Sequence, residues 1–210
     1  TYAPLLLPKG PILIYTGVET EMRVFWQWTE SAVFQVEWGT DETYALGSAD
    51  VAEYDAENHL LAYDFSGLQP GTRYEYRILI AGGAARGSFR TAPAADATGL
   101  KFVSYGDTRT NPDLHDAVAA QVIQLYQSDP LYQTFNLFAG DFVTHGDEEQ
   151  DWQDELFAPA WTQIQTLLAN VAFLPAIGNH EGGGILFRRY FALPVVKAHY
   201  GSFDYGPAHI

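Results

Sequence analysis

The chain has 210 residues, enough for one large domain or two small ones, and 47% of them are hydrophobic and 15% aromatic, so a buried core is available and disorder is excluded. Its formal net charge of -15 and the thin scatter of 11 Lys and Arg repel phosphate backbones, so no nucleic-acid partner is expected. There is no cysteine, which removes disulfides, thiolate metal sites and cysteine nucleophiles.

The closest basic pair, Arg188 and Arg189, suits either an anionic ligand or a solvated face, and the solvated face is preferred. No apolar run approaches the ~20 residues needed to span a bilayer, so no membrane segment is expected. No basic-then-apolar stretch opens the chain, and with Thr1 in place of Met, residues could precede it.

From Ile12 to Thr91 the pattern is strand-like. Residues 22–28 (MRVFWQW) and 32–38 (AVFQVEW) are β-branched and aromatic with partial alternation, and glycine-bearing turns separate such runs. These features predict an antiparallel sandwich. Pro70-Gly71 supplies a turn, beyond which Tyr74, Tyr76 and Ile78 share a strand face, with one tyrosine placed to hydrogen-bond back across the corner. Residues 10–92 resemble the fibronectin type III pattern. Residues 91–98 (TAPAADAT) are small, polar and proline-bearing, as linkers are, and divide the chain into an all-β domain over 1–95 and an α/β domain over 96–210.

Beyond the linker the period changes. Strands are predicted over 100–105, 134–139 and 171–177, and helices over 112–127 and 151–170, with Leu114, Val118, Val122 and Leu125 forming the buried stripe of the first helix. Alternating strands and helices imply a largely parallel sheet. Three of its strands end in glycine-bearing polar turns: Gly106-Asp107-Thr108-Arg109, Gly140-Asp141-Phe142-Val143, and Gly178-Asn179-His180-Glu181. Sites in open α/β sheets form beyond the carboxyl ends of strands, so the three turns are expected to gather at one edge.

Two carboxylates and an amide, from Asp107, Asp141 and Asn179, are hard donors suited to Mg, Mn or Fe, or to Zn if histidines join them. His180, next to Asn179, is placed to protonate a leaving oxygen or hold a phosphoryl group, and Arg109 to grip phosphate bidentately.

This ordered set of turns resembles the calcineurin-like metallophosphoesterase superfamily, and the preceding sandwich points to its purple-acid-phosphatase-like members. The resemblance implies hydrolysis of phosphomonoesters or phosphodiesters through a dinuclear centre (Mn, Zn, Fe or Mg) and a metal-bound water. Asp107 would bind the first ion, Asp141 would bridge, Asn179 would bind the second and His180 would assist at the phosphate. A small phosphate ester is the implied partner, and export to a secreted or periplasmic location is the implied destination.

The sequence departs from that pattern in three ways. Arg109 stands where many members have a metal-binding His, Thr144 stands where purple acid phosphatases have a metal-bound Tyr, and the family's further histidine ligands have no match before Ile210. His59, His115, His145, His199 and His209 match no ligand position. The chain is therefore expected to bind metal weakly or not at all. The rival expectation is a non-catalytic extracellular binding or adhesion module with a vestigial phosphatase-like domain.

Overall fold

The strand-like first half forms eight strands: β1 (Ala3–Pro4), β2 (Lys9–Ile14), β3 (Met22–Gln27), β4 (Phe34–Gly39), β5 (Gly47–Val51), β6 (Leu60–Phe65), β7 (Arg73–Ile80) and β8 (Gly83–Arg90). The computed structural model describes residues 2–191, 196–197 and 200–210; His199 lies outside them. In the second half come β9 (Val103–Tyr105), α1 (Pro112–Ser128), β10 (Phe135–Phe138), α2 (Glu149–Trp152), α3 (Thr162–Asn170), β11 (Ala172–Pro175) and α4 (Ile185–Tyr190). The described residues close with two short antiparallel pairs, β12 (Val196–Lys197) with β13 (Tyr200–Gly201) and β14 (Asp204–Tyr205) with β15 (Ala208–His209).

One five-stranded sheet runs β1-β8-β7-β4-β5, and a six-stranded sheet runs β6-β3-β2-β11-β10-β9. The second sheet joins the two halves. Its first three strands are antiparallel, whereas β2, β11, β10 and β9 run parallel, with Ile14 registered against Phe173. One sheet of the first ninety residues therefore continues into the α/β half.

Period-2 alternation explains how this sheet is buried on both sides. Leu13 of β2, Val24 and Trp26 of β3, Phe65 of β6 and Leu174 of β11 face the five-stranded sheet, where Phe34, Tyr76 and Phe89 complete one core. Ile12, Ile14, Phe25 and Phe173 face the other way, onto Val122 of α1 and Ile164, Leu167 and Leu168 of α3. All six residues of β2 are buried, as expected of a strand covered on two faces.

The expected corner forms, with the Tyr74 hydroxyl accepting from the Gln69 N–H at 2.9 Å. Tyr76 reaches further: its hydroxyl donates to the carbonyl of Ala169 in the last turn of α3, at 2.9 Å.

Two helical expectations are corrected. The buried stripe of α1 is His115, Ala119, Val122 and Ile123, while Leu114 is 61% exposed and Val118 also faces solvent. The rotation brings His115 against β9, its Nε2 lying 3.1 Å from the Tyr105 hydroxyl. The helix expected over 151–170 is interrupted after a π-helical turn, Gln153–Phe157. Ala158 precedes Pro159, whose ring forbids helical backbone before it, and Ala158 is accordingly extended at ψ 136°.

Candidate active site

Because β9, β10 and β11 are parallel neighbours, their carboxyl ends lie at one edge of the sheet, and the turns leaving them are packed turn against turn. A Cβ on Gly106 would sit 2.8 Å from the Ala139 nitrogen, one on Gly140 2.6 Å from the Gly178 nitrogen, and one on Gly178 2.1 Å from Asp141 Oδ1. Gly140 also has φ +83°. The two aspartates adopt the left-handed region as well, both at φ 57°, a strained choice for residues bearing a Cβ. Backbone hydrogen bonds zip the first turn to the second: Asp107 N–H donates to the Gly140 carbonyl at 2.9 Å, and the Thr108 and Arg109 N–H groups both donate to the Asp141 carbonyl, at 3.0 and 3.1 Å.

Arg109 lies between the carboxylates. Its Nε is 3.3 Å from Asp107 Oδ1 and 3.4 Å from Asp141 Oδ2, so one nitrogen spans both. The other oxygen of Asp141, Oδ1, accepts the backbone N–H of His180 at 3.0 Å. His180 Nδ1 is 2.8 Å from the Thr144 carbonyl, which only accepts, so Nδ1 carries a proton and Nε2 is the acceptor of the neutral ring. Asn179 sits on the same turn as His180, exposed, and its side chain makes no hydrogen bond among the described residues. The edge thus brings together Asp107, Asp141, Arg109 and His180, with Asn179 beside them.

Sequence reasoning assigned no role to Glu181, which is 0% exposed. Its Oε2 accepts from Asp141 N at 2.9 Å and Gly178 N at 2.6 Å, and its Oε1 from Phe142 N at 2.8 Å. The available signal was the spacing from Gly178 to Glu181, that of the glutamate half of a capping box. Glu155 plays a similar part at the rim, where Oε2 accepts from Thr110 N at 2.8 Å and Thr144 N at 3.1 Å.

Among the described residues the other histidines each have a local partner: His59 with Glu53, His145 with Asp151, His209 with Asp204 and His115 with Tyr105. Arg188 is exposed and Arg189 approaches Glu149 at 3.7 Å.

Two carboxylates facing one nitrogen, with an exposed amide on the adjoining turn, are oxygen donors that fit part of the shell of a hard cation. Among the described residues no group of three or more His, Asp or Glu converges as a ligand set.

The α/β fold is similar to the phosphoesterase-type folds of solved structures. Among solved structures the chain is similar to a purple acid phosphatase isolated from yellow lupin (Lupinus luteus) seeds, with a TM-score of 0.69 at 16% identity over 97% of this chain and 43% of that one. It is also similar to PhoD, with a TM-score of 0.65 at 11% identity over 86% of this chain and 40% of that one. The chain therefore spans less than half the length of either. No family model and no curated protein matches the sequence. Among the described residues no helix is long and apolar enough to cross a membrane.

Proposed function

We propose that the chain carries the strand-end part of a phosphoesterase site that hydrolyses phosphomonoesters or phosphodiesters with the help of hard metal cations. The observation that carries this reading is the approach of Asp107 and Asp141 to a single Arg109 nitrogen, at 3.3 and 3.4 Å, on adjoining turns of a phosphoesterase-type sheet. Asp107, Asp141 and Asn179 would hold the cations. Bound there, a pair of cations supplies Lewis-acid polarisation of a phosphoryl oxygen and an acidified water. His180, its Nδ1 proton committed to Thr144, presents Nε2 as the nitrogen that exchanges a proton with a leaving oxygen. The fork of Arg109 is suited to phosphate oxygens.

The occupation of both carboxylates by Arg109 favours a second reading, in which the fold is kept without the chemistry. Release of a fluorophore from phosphomonoester and phosphodiester substrates, with added Mn or Zn, separates the two. The hydrolase reading expects slow turnover that chelation and Asp141→Asn both abolish. Turnover indifferent to both changes would refute this site, and no turnover by metal-loaded protein supports the non-catalytic reading.

A further inference from the structure

The structure shows a positively charged group already seated where the cations of the proposed site would go. We propose that Arg109 is an internal competitor for those cations, so that metal enters only as the guanidinium leaves. This inference rests on the metal-dependent reading of the site and concerns how the site is loaded.

The argument starts from the oxygens of Asp141. Oδ1 is held by the His180 N–H, which leaves Oδ2 as the oxygen open to a second partner, and that partner is Arg109 Nε. On Asp107 the same nitrogen takes Oδ1. A cation placed on these same two oxygens would meet the guanidinium's positive charge at contact distance, so guanidinium and metal compete for them. The competitor is also tethered, because the Thr108 and Arg109 N–H groups bind the carbonyl of Asp141 itself and deliver the side chain at high local concentration.

Removal of the guanidinium is still possible. The side chain of Arg109 is 33% exposed, and among the described residues its only ion-pair partners are the two aspartates. Metal affinity is thus scaled down by the fraction of time that Arg109 is away.

The test is calorimetric titration of Mn2+ into the 210-residue chain, its Arg109→Ala and Arg109→Gln variants, and Arg86→Ala, which removes the same charge from β8 in the other sheet. Circular dichroism reports whether each folds. Neutralising Arg109 is expected to tighten Mn2+ binding roughly 10- to 100-fold, the scale of losing one competing charge at contact distance, with Arg86→Ala binding like the wild type. In the wild-type protein the 15N–1H signal of Arg109 Nε is expected to shift on Mg2+ titration with the midpoint of metal binding, a readout that needs no variant to fold. Equal affinity in wild type and Arg109 variants, or an Nε signal that stays put while metal binds, overturns the competitor and leaves the metal site standing. Absence of binding to any of the proteins at millimolar Mn2+ overturns both.

Discussion

The buried carboxylate of Glu181 accepts the backbone N–H of Asp141 at 2.9 Å, which ties the turn after β10 to the turn after β11 at the residue whose side chain faces Arg109. The same carboxylate binds the N–H groups of Phe142 and Gly178, so three donors converge on one side chain that has no contact with solvent. Replacing it by Gln puts an amide NH2 against N–H donors. Glu181→Gln is expected to lower the unfolding free energy by about 2–4 kcal/mol, the scale of buried donors left without acceptors. Urea denaturation followed by tryptophan fluorescence measures it; a loss below ~0.5 kcal/mol would show that the clasp is dispensable.

Gly178→Ala tests close packing apart from backbone conformation, because Gly178 has an ordinary φ of -96°. The added methyl would meet Asp141 Oδ1 at 2.1 Å, so the carboxylate must move and the bond from His180 N–H must break. Overpacking of this kind costs about 1–3 kcal/mol. Metal affinity and the chemical shift of the His180 amide are expected to change together, and a variant with an unchanged His180 amide signal would contradict the model of touching turns.

His115 predicts an acid sensitivity. Burial under α1 depresses its pKa from 6.5 to about 4, so the folded protein resists a proton that the unfolded chain accepts below 6.5. Stability is therefore at its full value above pH 6.5 and falls as pH drops from 6.5 towards 4, by at most about 3 kcal/mol from this residue. In His115→Leu, which removes the titrating group, the difference between unfolding free energies at pH 7 and pH 5 is expected to shrink. Parallel pH profiles for the two proteins would rule out His115 as the cause.

Tyr76→Phe removes a hydroxyl that burial and its bond to Ala169 fix between the five-stranded sheet and α3. The expected loss is about 1 kcal/mol. Hydrogen exchange should quicken in the last turn of α3 more than in β7, and an unaltered α3 would mean that this contact does not couple helix to sheet.

Most of the strand and turn pattern was legible in the sequence, and its failures have identifiable causes. The Pro70-Gly71 corner and the three glycine-bearing strand ends depend on local chemistry, which a sequence displays directly. The stripe of α1 was misread because Leu114 and Val118 are apolar yet exposed, while the polar His115 is inside with Tyr105; hydrophobicity alone ranks these residues the wrong way. Pro159, in contrast, is the residue whose ring marks the interruption of the expected long helix. Pairing of β2 with β11 left no local trace, since a strand buried on both faces reads the same whichever neighbour it has. At the site, Asp107, Asp141 and Arg109 were recognisable by type and position. Glu181 was not, because its partners are backbone N–H groups and a sequence does not show where those converge.

The pairing of Ile14 with Phe173 also orders the birth of the molecule. On the ribosome β2 emerges well before β11, the neighbour that completes its second edge. Until then the leading strands expose an open, apolar border suited to mispairing, and long-range parallel contacts of this kind close slowly. Production of this protein should accordingly depend on chaperone supply and slow elongation, and an isolated 96–210 segment should precipitate through the border that β2 otherwise seals.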